Sequence, residues 1–252
     1  MRVVAGALVL ALLAFLRFRR EPALRRAGSL ASAAALFAYA IAFSLAYLEL
    51  PSGIGALLLF GAVQLTMLAG GFLTGHQPTA ADAVGIVLAL GGLVWLTLPG
   101  TASAPPPAAA GGMIVAGVAW GIYSLRGRRE SVPALAATAG NFVRAVPLAL
   151  GVLALAGLSS HLSATPRGIA LAMLSGALTS GLGYVVWYAA LPGLRAAQAG
   201  LVQLAVPVLT ALGGVFFLAE RFTVRLAVSS VLVLGGIAVA LLAGSRRAGA
   251  RP

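Results

Sequence analysis

The sequence predicts an all-α integral membrane protein, a polytopic helical bundle of about nine transmembrane helices arranged as two inverted repeats. Three observations predict it: an apolar composition, long uncharged runs, and self-similarity at a fixed offset. Of the 252 residues 61% are apolar and 9% are charged, against about 45–50% and about 25% in a soluble domain. The charged residues needed to cover a water-facing surface are missing. With no cysteine in the chain, a disulfide scaffold, a thiolate nucleophile and a Cys-ligated metal are excluded.

Runs able to cross hydrocarbon need about 17–25 apolar residues. They fall at roughly 1–16, 29–49, 53–74, 80–98, 110–125, 133–157, 168–190, 197–218 and 223–243. Pro51-Ser52-Gly53, Gln77-Pro78-Thr79, Pro105-Pro106-Pro107, Pro133, Pro166 and Pro192-Gly193 separate them, as turn residues should. The first run is short. Its Arg residues follow the apolar stretch and no small-residue cleavage site precedes them, so it is not read as a signal peptide. The uncharged triple proline divides the chain into a first repeat of four helices over 1–100, a linker over 101–109, a second repeat of five helices over 110–243, and a basic tail over 244–252.

Gly91-Gly92 recurs as Gly235-Gly236, an offset of 144, and at that offset residues 33–98 lie on 177–242 without a gap. Leu65-Thr66 falls on Leu209-Thr210, Gly70 on Gly214, Phe72 on Phe216 and Thr79 on Thr223. With a two-residue gap, Arg2 lies on Arg144. About thirty residues of the second repeat then have no counterpart, so the first repeat lacks one helix.

The net charge of +12 comes from seventeen Arg against five acids. No basic face carries interleaved aromatics, so nucleic acid is not the expected partner; the Arg runs suit anionic lipid headgroups. Alternating spans put twelve Arg on one side (at 17–26, 126–129, 195 and 246–251) and Arg2, Arg167, Arg221 and Arg225 on the other. The positive-inside rule makes the first side, with the C-terminus, cytoplasmic. Repeats of an odd number of helices insert in opposite senses, as in many transporters.

The second half resembles the EamA-like families of the drug/metabolite transporter superfamily. The resemblance rests on Ala119-Trp120-Gly121-Ile122-Tyr123-Ser124, Gly183-Tyr184-Val185-Val186-Trp187-Tyr188-Ala189-Ala190-Leu191, Pro207, Ala219-Glu220-Arg221-Phe222-Thr223 and Gly235-Gly236. It implies a ten-helix fold of two five-helix inverted repeats, here without its first helix, in the bacterial inner membrane. It also implies a secondary transporter that exports or exchanges small metabolites, amino acids foremost, by alternating access. A multidrug or other metabolite transporter, or a membrane scaffold inactive in transport, are the alternatives, and a homodimer is left open. His76 stands where the family has Gly-Glu in the first repeat, and Val206 where a Glu often precedes the proline.

Arg144 lies about eleven residues into its span, where an Arg is costly unless it faces a polar cavity. Asn141 is one turn away, and Pro147 frees the carbonyl of Val143. The side chain is either a contact for an anionic group of the substrate or a structural Arg on helix-end carbonyls. Tyr184, Trp187 and Tyr188 share one helix face, as do Trp120 and Tyr123; they suit a cavity for amphipathic substrates or an interfacial belt. Gln203 sits four residues before Pro207, so that its carbonyl loses its helical partner. With Gln64 and Thr66 it offers polar groups in otherwise apolar spans, with Pro207 and Pro147 as gating candidates.

Glu21, Glu49, Asp82, Glu130 and Glu220 all map to loops or helix ends, which disfavours a carboxylate proton relay at mid-membrane. His76 and His161 fall on opposite sides and cannot share a metal. Without Lys there is no phosphate loop, and no Ser sits in a Gly-x-Ser-x-Gly elbow. Neither an enzyme nor a cofactor is expected.

Overall fold

The computed structural model describes residues 1–75, 77–97, 105–158, 165–219 and 221–248. His76, His161 and Glu220, part of the linker and the end of the tail lie outside the described residues. The helices run α1 (Arg2–Arg17), α2 (Pro22–Arg25), α3 (Leu30–Ala46), α4 (Ser52–Leu73), α5 (Ala80–Thr97), α6 (Pro107–Gly127), α7 (Ala134–Leu158), α8 (Pro166–Leu174), α9 (Gly183–Ala190), α10 (Ala196–Gln203), α11 (Ala205–Leu218) and α12 (Val224–Ala248). A π-helical stretch, Ser175–Leu182, joins α8 to α9. Among the described residues, eight helical stretches are long and apolar enough to cross a membrane. The first of the nine expected spans, α1, has 16 residues, about 24 Å at 1.5 Å per residue against a hydrocarbon core of about 30 Å.

Helix starts follow local chemistry. Pro107 and Pro166 open α6 and α8, where a missing N–H costs nothing. Thr79 and Asp82 cap α5 reciprocally: Asp82 N–H donates to Thr79 Oγ1 (3.2 Å) and Thr79 N–H to Asp82 Oδ2 (2.7 Å), a capping box. The repeat counterpart of Thr79, Thr223, accepts from Leu226 N–H at 3.2 Å and starts α12. α10 and α11 are separated at Leu204, whose N–H turns to Leu201 O at 3.0 Å. Pro207, three residues on, has no N–H to give the Gln203 carbonyl. α7 by contrast runs unbroken through Pro147.

The chain forms two compact units, residues 1–41 with 122–193 and residues 42–121 with 194–252. Each contains helices from both repeats. In the second unit α5 packs on its counterpart α12. A Cβ on Gly85 would meet Gly236 O at 2.5 Å, one on Gly236 would meet Gly85 O at 2.5 Å, and one on Gly92 would meet Leu232 Cβ at 2.8 Å. As α5 advances from 85 to 92, its contact on α12 retreats from 236 to 232, so the two counterparts run antiparallel. In the first unit Gly6 of α1 abuts Phe142 of α7, and Leu13 shares a groove with Pro133 and Leu135; this pair of counterparts is antiparallel too. The repeats are therefore inverted.

Candidate functional site

The expected site residues fall into two groups, one in each unit. In the first unit the α2–α3 connection lies against α7. Gly28 adopts φ +88°, and the missing side chain of Gly140 admits the backbone at Ala27. Arg144 Nη1 donates to Ala27 O (2.7 Å) and Gly140 O (3.0 Å), and its Nη2 donates to Arg26 O (2.8 Å). Helical side chains tilt toward the N-terminus, which carries the guanidinium back to this connection. Three of its five N–H donors go to backbone carbonyls.

Asn141, fully buried, accepts Ser29 N–H at 2.9 Å and donates to Tyr188 Oη at 3.4 Å, and Tyr188 donates to Tyr123 O at 3.2 Å. Arg126 extends this chain outward, donating to Ser32 Oγ (2.9 Å) and Ser29 Oγ (3.0 Å). Tyr184 packs on Tyr39, Tyr123 and Phe142 with ring centroids 5.7–6.4 Å apart. Trp187 Nε1 donates to Ser124 Oγ at 3.0 Å. The aromatic face is thus brought together with Asn141, and the polar tips of Trp187 and Tyr188 point to partners within the unit. Ser29, Ser32, Tyr39 and Arg126 were not singled out from the sequence. For Tyr39 a signal existed, because the repeat lays it beside Tyr184 at position 183.

In the second unit α4, α6 and α10 meet around Gln64, Trp120 and Gln203. Gly117 of α6 lies on Ala62 and Val63 of α4, and Gly121 on Thr66. Thr66 donates back to Ala62 O at 2.8 Å, which uses its hydroxyl. Trp120 Nε1 donates to Gln203 Oε1, and Gln203 Nε2 donates to Ala199 O at 3.2 Å. Gly200 of α10 leaves room for Gln64, since a Cβ there would stand 2.6 Å from Gln64 Oε1. Gln64 is 1% exposed, and both its amide atoms lack a hydrogen-bond partner among the described residues.

The same unit holds an ion pair that sequence reading missed. Arg195, at the N-terminus of α10, donates from both Nη atoms to Asp82 at 2.7 Å each, the bidentate geometry of a strong pair. Gln198 accepts Arg195 N–H at 3.1 Å and donates to Ala240 O at 3.1 Å. Asp82 does lie at a helix end, as expected, yet it is 1% exposed. The Thr-x-x-Asp spacing signalled its capping role; the partner 113 residues away had no signal in the sequence.

The profile of the EamA-like transporter family matches residues 108–242, more than half of the chain. The chain belongs to the EamA-like transporter family. It is 52% identical over 241 residues to an uncharacterized protein of Pseudomonas aeruginosa, covering 96% of this chain and 82% of that one. A solved crystal structure at 24% identity superimposes with a TM-score of 0.75, covering 97% of this chain and 86% of its own, and agrees in fold. EamA-like proteins are transporters and not enzymes, so the family membership and the apolar helices make this a multi-pass membrane transporter of small molecules.

Proposed function

We propose that this EamA-like protein is a secondary transporter of the bacterial inner membrane, with its C-terminus in the cytoplasm. We infer export or exchange of small metabolites, amino acids or related compounds foremost, by alternating access. The Arg distribution supports the orientation, and the antiparallel counterparts support the inverted-repeat mechanism. Gln64, Gln203 and Trp120 form the polar contact for substrate, and the break at Leu204 with Pro207 supplies the hinge.

The unpartnered Gln64 amide carries this reading. A buried donor or acceptor left unmade costs about 1–3 kcal/mol, and a substrate presenting an acceptor and a donor would recover it. Replacing an unsatisfied polar group by an apolar one of similar shape is neutral or stabilising. Gln64→Leu should therefore keep or raise the thermal unfolding temperature while cutting transport into proteoliposomes at least ten-fold, with amino acids as the first substrates assayed. A Gln64→Leu protein that transports at the wild-type rate would refute the site; one that transports poorly because it unfolds would mark Gln64 as structural.

A further inference from the structure

The seam between α1 and α7 opens into a groove of about 720 Å³ in the first unit. Leu13 and Leu16 of α1, Leu135 of α7, and Leu182 and Val185 around the start of α9 form its walls, and among the described residues Arg17 is the one charged residue in its lining. Such walls accept hydrocarbon and offer nothing to a polar metabolite. Positive charge gathers beside it. The Arg17 guanidinium stands 5.6 Å over the Phe18 ring, and those of Arg19 and Arg25 stand 5.9 and 5.6 Å from the Phe15 ring. From 18 to 29 the chain carries four Arg against the single acid Glu21. An anionic group would relieve this surplus.

We propose that the groove binds one anionic glycerophospholipid, an acyl chain along its leucines and the phosphate at Arg17. The inference is independent of the transported substrate. It predicts retention of a specific lipid by the purified protein, beyond the diffuse attraction of the Arg runs.

Detergent-solubilised protein equilibrated with equimolar dioleoyl phosphatidylglycerol and dioleoyl phosphatidylcholine would be read by native mass spectrometry. The wild type should retain one phosphatidylglycerol with about a five-fold preference, the factor expected for one Arg beside an anionic headgroup. Arg17→Gln should bring the preference close to one, while Arg167→Gln, which removes an equal charge in the first turn of α8, should leave it unchanged. Leu182→Trp, which fills the groove, should abolish retention of both lipids at an unchanged unfolding temperature. Equal retention of the two lipids by the wild type, an equal effect of Arg17→Gln and Arg167→Gln, or lipid retained by folded Leu182→Trp would each overturn the proposal.

Discussion

Arg144 turns on the geometry of a single side chain. Its hydrogen bonds to Arg26 O, Ala27 O and Gly140 O hold non-helical backbone against α7, and such backbone is tolerated in a membrane protein where polar groups satisfy it. The close approach needs Gly28 and Gly140 as well, and Asn141 completes it by accepting Ser29 N–H. An Arg held in this way is expected to act on transport through the fold, with no preference for substrate charge. Arg144→Ala should lower stability by about 2 kcal/mol, one charge-assisted hydrogen bond or more, read as a lower unfolding temperature in detergent. It should reduce transport of anionic, zwitterionic and cationic substrates in the same proportion. A loss confined to anions, with unchanged stability, would instead make the guanidinium a substrate contact.

Helix packing shows what a glycine pair is for. Gly91-Gly92 and Gly235-Gly236 mark the repeat, yet only one member of each pair is at the interface. Gly92 and Gly236 face the partner helix, whereas a Cβ on Gly91 or Gly235 would meet nothing within 4 Å. Gly236→Ala should therefore destabilise by about 1–3 kcal/mol through overpacking. Gly235→Ala, one residue away, should be neutral or stabilise by up to about 1 kcal/mol because alanine is the better helix former. Thermal unfolding of the two variants checks this contrast, and equal effects would refute the packing. Which glycine faces which was hidden in the sequence, because helices apolar on all sides carry no periodic signal of their buried face. Helix starts were legible, since they rest on short-range chemistry such as Thr79 with Asp82 and Thr223 with Leu226. The Asp82–Arg195 pair depends on residues 113 apart in the chain, whereas the separation at Leu204 lies beside the Gln203 carbonyl that Pro207 leaves without a partner. Among the site candidates, Asn141, Tyr123, Tyr184 and Tyr188 were legible as helix faces, but that Asn141 and Tyr188 bond within the unit was not.

For the molecule as a whole, the repeat and the Arg distribution constrain insertion separately. Counterparts α5 and α12 run antiparallel, as do α1 and α7, so whichever way the first repeat enters the membrane, the second enters the other way. The orientation proposed above follows the Arg count, because loops rich in Arg tend to stay on the cytoplasmic side. The two compact units cross the division between repeats, since inverted counterparts bury their faces against one another rather than within one half of the chain. A chain without cysteine permits a clean test, as any single cysteine introduced is the only thiol that can be labelled. Glu49→Cys, in the loop between α3 and α4, should react with a membrane-impermeant maleimide in intact cells. Ser131→Cys, in the loop between α6 and α7, should react only after permeabilisation. The reverse pattern would invert the orientation while leaving the antiparallel repeats intact, and labelling of both in intact cells would be incompatible with the alternation of spans from which the topology is built.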